Sequence, residues 1–161
     1  MEALFLCLTS LSLVIALVLM VILFVIDFKH YLLPDRYVFP LGILGVLFHT
    51  SLHFTLLPVS HLSFGAIVGG GLLWVVRWGG TKYYKQEAMG LGDVKLMLAA
   101  GLWLGPEHIV TAIMVGAMAG LVHGLIVAGI LATKTGSFSI NRLIIPAGPG
   151  FIVGIVAVFA W

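Results

Sequence analysis

Residues Ala3 to Ile26 read ALFLCLTSLSLVIALVLMVILFVI: 24 positions, none of them charged. A helix rises about 1.5 Å per residue, so about 20 apolar residues cross the ~30 Å hydrocarbon core of a bilayer. The stretch is long enough to span. Met1 and Glu2 precede it, without the Lys or Arg that leads a secretory signal, and its apolar run is about twice a signal's usual length. It reads as the first helix of the mature fold.

Outward from it the chain keeps the same character. Of 161 residues, 61% are hydrophobic and 9% charged, whereas a soluble domain uses about 25% charged side chains to cover its surface. The apolar excess must face lipid. The reading is an all-α, polytopic membrane protein with six spans: Ala3–Ile26, Tyr37–Leu57, His61–Trp78, Gly92–Gly105, Glu107–Ala132 and Leu143–Trp161. No remaining stretch is long enough for a soluble domain and no internal repeat is visible, so residues 1–161 are expected to form a single transmembrane domain. The fourth span is short and starts at a glycine-rich turn, so it should tilt or lean on its neighbours. Many of the 20 glycines lie within spans, including Gly69-Gly70-Gly71, Gly116 and Gly120. Small residues let helix backbones approach, so packing between helices is their first expected use and a dimer seam at 116–120 the second.

Orientation follows from the cations. Threading six spans puts Lys29, Arg36, Arg77, Lys82, Lys85, Lys95, Lys134 and Arg142 on one side, and Glu2, His53, His61, Glu107 and His108 on the other. Positive loops stay in the cytoplasm, so both termini are expected outside. The formal charge of +2 and the lack of a basic arm exclude nucleic acid as a partner. The one cysteine, Cys7, can form neither an internal disulfide nor a cysteine cluster, and is expected as a small buried apolar residue.

Four acids belong to the positive side: Asp27, Asp35, Glu87 and Asp93. Asp27 directly follows Leu23-Phe24-Val25-Ile26, and Asp93 stands between Gly90-Leu91-Gly92 and the apolar run Val94 to Ala99. An ionisable group inside a span costs about 2.5–3.5 kcal/mol at its centre and less near its end, so it points to function. Taken singly, Asp27 could end a helix as an interfacial charge and Asp93 could serve a helix N-terminus. Both, however, fall at one membrane depth on one side. Two facing carboxylates in a partly dry site cannot both ionise easily and share a proton. In that state the ionised member draws a proton from water while the protonated member hydrogen-bonds a carbonyl, which is the requirement for hydrolysing a peptide.

Three stretches carry a resemblance. They are Ile26-Asp27-Phe28-Lys29-His30-Tyr31-Leu32-Leu33-Pro34-Asp35, then Glu87-Ala88-Met89-Gly90-Leu91-Gly92-Asp93-Val94-Lys95-Leu96, then Ile145-Pro146-Ala147-Gly148-Pro149-Gly150. Together they make the chain similar to the type IV prepilin peptidases, aspartic membrane proteases with a Gly-x-Gly-Asp motif. The resemblance implies a multi-pass endopeptidase of the bacterial inner membrane that removes the basic leader from prepilins or pseudopilins at the cytoplasmic face, in pilus assembly or protein secretion. It implies Asp27 and Asp93 as the catalytic pair, with no cofactor and no metal. Many relatives carry an added amino-terminal region with paired Cys-x-x-Cys motifs and also methylate the new pilin terminus. This chain starts at its first span with a single cysteine, so methyl transfer is not expected. Ala147 stands where an aromatic residue is expected.

Six more residues are expected to bind substrate or support the site: Asp35, Glu87, Gly90, Gly92, Lys95 and Pro146. Asp35 rivals Asp27, but its Pro34-Asp35 setting favours a turn and an N-cap for the second span. Glu87 either binds a basic leader or is a solvated loop acid. Lys95 either balances the charge of the pair or snorkels to the interface. Gly90 and Gly92 let another backbone approach Asp93, and Pro146 with Pro149 should break the start of the last helix, freeing carbonyls near the site. His49 and His53 have a metal-compatible spacing at the other side, with no evident third ligand beyond His61, and His123 is expected to bond between helices. Trp74, Trp78, Tyr83 and Tyr84 fit an interfacial belt. The rival class is a small proton-coupled transporter or channel using the same carboxylates, which should place them near the midplane and often shows a repeat.

Overall fold

A computed structural model describes residues 2–87, 89–135 and 146–161. Among them the chain is all-helical: α1 (Glu2–His30), α2 (Asp35–Ser51), α3 (Val59–Tyr84), α4 (Leu91–Thr135) and α5 (Gly148–Phe159). Three segments are long and apolar enough to cross a membrane, Phe5–His30, Val59–Tyr84 and Leu91–Ile130, and α5 is a shorter apolar helix. The expected fourth and fifth spans are the two arms of α4. They meet at Gly105, whose φ of 73° and ψ of 179° only glycine adopts readily, and Pro106 follows it. Arg142 and the first residues of the expected sixth span, Leu143 to Ile145, lie outside the described residues, as does the side chain of Lys134.

Contacts show how the helices run. Thr9 near the start of α1 meets Ser51 at the end of α2, Oγ to Oγ at 3.0 Å, so these two are antiparallel. Asp35 of α2 meets Lys95 (2.7 Å) and the Leu41 carbonyl accepts from Trp103 Nε1 (2.8 Å), so α2 and the first arm of α4 run side by side. A Cβ built on Gly65 would lie 2.4 Å from the Gly101 carbonyl oxygen, and one on Gly69 would lie 2.4 Å from that of Met97. The small residues of α3 thus permit backbone contact with an antiparallel neighbour. Gly116 meets Phe151 and Gly154 meets Ala112, which lays α5 antiparallel to the second arm. Gly116 is therefore used inside the chain, as the packing reading expects.

With these directions, the end of α1 and the starts of α2, α4 and α5 gather at one end of the bundle, together with the end of α3. Leu23, Leu41, Leu96, Met97, Ile109 and Ile155 are the fully buried centre. Leu6, Leu11, Val14, Val18 and Val21 on α1, like Met114, Met118, Leu121 and Leu125 on α4, point outward. Helices apolar on both faces suit a lipid surround. Cys7 is on that outer surface: it is exposed, not buried as expected, because it lies beside Leu6 and Leu8 on the outward side of α1 while Thr9 meets α2. At the end away from the aspartates, buried His49 donates from Nε2 to the Trp103 carbonyl (3.1 Å), and exposed His53 lies against the Phe5 ring (4.8 Å).

Candidate active site

α1 does not stop before Asp27; it runs on to His30, so Asp27 sits in its last turn. That turn faces the start of α5. The Gly148 N–H donates to Asp27 Oδ2 at 3.0 Å, and Asp27 is only 5% exposed. The first N–H groups of a helix have no partner within it and carry its partial positive charge, so a carboxylate there is well held. What α5 offers here is therefore a donor; the carbonyls expected from the two prolines, those of Arg142 and Ile145, lie outside the described residues. Gly148 must lack a side chain, since a Cβ would stand 2.5 Å from Asp27 Oδ2 and 2.9 Å from Cγ.

Asp93 is the third residue of α4 and 7% exposed. Its Oδ1 is buried without a hydrogen-bond partner, and its carboxyl lies within electrostatic reach of Asp27. Leu33 sits against both aspartates' neighbours. Its Cβ would be 2.8 Å from a Cβ on Gly92, and its Cδ1 3.3 Å from one on Gly148. So the space that Gly92 leaves open is filled by this chain's own Leu33. Two carboxylates, 66 positions apart in sequence (93 − 27), converge from the ends of two helices under an apolar side chain. Two carboxyls that share one proton can in general act as base and acid at once. Among the described residues, no three His, Cys, Asp or Glu side chains come together as metal ligands.

The type IV leader peptidase family matches residues 14–125, which hold both aspartates. The chain belongs to that family. Among relatives of this leader peptidase family, it is 34% identical over 102 residues to a prepilin leader peptidase/N-methyltransferase of Escherichia coli (strain K12), covering 63% of this chain and 44% of that one. The protein of the same name from Pectobacterium carotovorum is 36% identical over 121 residues, 75% of this chain and 43% of its own. The leader peptidase HopD of Escherichia coli is 37% identical over 143 residues, covering 84% of this chain and 86% of its length. The chain thus spans less than half the length of the two peptidase/N-methyltransferases. No solved structure matches it.

The other leader-peptidase motif residues are placed less as expected. Asp35 is not an N-cap: Pro34 holds that position without a side-chain bond, and Asp35 in the first turn takes Lys95 Nζ on both oxygens, at 2.9 and 2.7 Å. Lys95 therefore ties α2 to α4, and its partner is Asp35; helix packing brings Asp35 within reach of it. Glu87 is 78% exposed but paired, with Arg77 at 3.0 Å. Gly90 lies beside the pair, a Cβ there falling 3.2 Å from Asp93 Oδ2. Pro146 is buried just ahead of the α5 N-cap, Ala147. His123 packs on the Phe28 ring at 6.0 Å.

Two residues that touch the site, Leu33 and Gly148, carry no site role in the sequence reading, nor does Arg77, which bonds the segment before Asp93. Leu33 and Gly148 lie inside motif stretches, but nothing in a one-dimensional motif tells which of its residues fills space and which donates. Arg77 had a visible signal, a cation within the apolar run Leu72 to Trp78, and it served only to orient the chain.

Proposed function

We propose that the chain is a membrane aspartic endopeptidase that cleaves the basic leader of prepilins or pseudopilins at the cytoplasmic face of the bacterial inner membrane. Residues 1–161 act as one multi-pass peptidase domain with six spans and both termini outside. Asp27 and Asp93 are its catalytic pair. The observation that carries this reading is their convergence, both buried, at one end of the bundle. Membership of the leader peptidase family supports the same chemistry.

The mechanism needs a water between the carboxyls. The ionised member takes its proton as the oxygen attacks the scissile carbonyl carbon, while the protonated member hydrogen-bonds the carbonyl oxygen. The tetrahedral intermediate then collapses: the carbon–nitrogen bond breaks, the amine leaves with a proton from the pair, and the new acid departs. The Gly148 N–H holds Asp27 still through these steps, which matters because a 1 Å misplacement costs about 10²-fold in rate. Placement also suits the substrate. Lys29, Arg36, Lys82, Lys85 and Lys95 flank the same helix ends as the aspartates, and positive ends favour the cytoplasm, where a basic leader lies while its following apolar helix is in the membrane. A proton-coupled transporter is disfavoured, since the carboxylates occupy terminal turns and not the middle of spans.

The test is cleavage of a purified prepilin with a basic leader by the reconstituted protein. Asp27→Asn and Asp93→Asn should each lower the rate by about 10²–10⁴-fold, and the double variant should be little worse than either, because the pair acts as a unit. Full activity in both folded single variants would end the proposal.

A further inference from the structure

A short connection joins the end of α3 to the first turn of α4, which holds Asp93. α3 closes on Lys85 in a left-handed conformation (φ 55°, ψ 25°), and glycines stand at 90 and 92, where backbone freedom is greatest. Across this gap reaches Arg77, two turns back from the end of α3. One arm of its guanidinium donates to the Met89 carbonyl and the other to Glu87 Oε1 at 3.0 Å. The Arg77 side chain is 21% exposed, and Met89 packs against the hydrophobic core. Met89 lies two residues before the start of α4 and four before Asp93.

We infer that Arg77 is a positioning residue for Asp93: its guanidinium pins the Met89 carbonyl and so sets where the first turn of α4 holds the carboxyl. This rests on Asp93 belonging to the catalytic pair. A guanidinium suits the task because its fork is planar and donates in two fixed directions, to a carbonyl and to a carboxylate together. Glu87 is too exposed for its ion pair to contribute much by itself. Its part is to orient the fork, while the bond to the Met89 carbonyl carries the positional information. The Asp35–Lys95 pair grips the same turn from the other side, two residues beyond Asp93.

Arg77→Ala, Arg77→Lys and Glu87→Gln, each in the whole chain in proteoliposomes, separate this role from others. Two readouts are needed: leader cleavage, and the rate at which a carbodiimide modifies Asp93 relative to Asp27, resolved by mass spectrometry. Arg77→Ala should lower kcat by about 10²-fold with KM changed less than about twofold, and should alter the Asp93-to-Asp27 modification ratio. Arg77→Lys should recover part of kcat, since one ammonium can still reach the Met89 carbonyl, and it carries the test if the alanine variant does not fold. Glu87→Gln should lower kcat less than Arg77→Ala does, since the bond to the Met89 carbonyl remains. A rise in KM at unchanged kcat would instead make Arg77 and Glu87 substrate contacts and overturn the inference, as would an unaltered modification ratio. Should the unmodified protein cleave no leader while the ratio still responds to Arg77, the positioning role stands and the peptidase reading fails.

Discussion

Gly148 shows how strongly single atoms govern the carboxylate pair. Its N–H is the donor to Asp27, and its missing side chain is what lets Asp27 come to 3.0 Å. Gly148→Ala keeps the N–H but drives a methyl group into the carboxylate, 2.5 Å from Oδ2. The carboxyl must move, and leader cleavage should fall by about 10²-fold for a displacement near 1 Å. Steady-state kinetics on the purified variant check this, and the loss should appear in kcat. A variant with full kcat would mean that Asp27 tolerates displacement. At this scale the motifs showed which acids to examine, since Asp27 ends an apolar run and Asp93 follows Gly-Leu-Gly. They could not show that Leu33 would lie against Gly92 and Gly148, because an apolar residue beside a turn looks the same whether it faces lipid or another helix.

At the scale of helices, α3 and the first arm of α4 meet backbone to backbone. A Cβ on Gly101 would stand 2.2 Å from the Gly65 carbonyl oxygen. Gly101→Ala must push two backbones apart, and overpacking of this kind costs about 1–3 kcal/mol. Thermal unfolding in detergent should register the loss, whereas Gly71→Ala, with nothing near its Cβ inside α3, should leave the midpoint no lower. The turn between the arms makes a separate prediction. Gly105→Ala forces a side chain onto φ 73°, ψ 179°, at a cost of about 1–3 kcal/mol, measurable by the same melt. Glycine richness was legible as packing; which glycine meets which backbone was not, since spacing along a helix gives a face but not the neighbour that covers it. The Asp35–Lys95 pair is the same lesson, for the sequence placed both residues at one membrane face yet left open that they bond each other.

At the scale of the whole molecule, the helix directions collect the cations Lys29, Arg36, Arg77, Lys82, Lys85 and Lys95 at the end that holds the aspartates. On the proposed orientation, single cysteines introduced into a Cys7→Ala background should report opposite sides. His108→Cys should react with an impermeant maleimide added to intact spheroplasts, and Lys82→Cys should react only after the membrane is opened. The reverse pattern would place the site outside and contradict cleavage of a cytoplasmic leader.

Sequence alone determined that this protein is helical and built for a membrane, and it pointed to the two acids worth testing. Hydropathy, charge and motif spacing are properties of neighbours in the chain, and they survive being read in one dimension. The rest awaited packing. That an N–H of α5 reaches an aspartate 121 positions earlier, that Leu33 caps both glycine gaps, and that Arg77 pins Met89 all depend on which helices lie side by side. Those directions come from many weak side-chain contacts summed over whole helices, and no single stretch of sequence contains that sum.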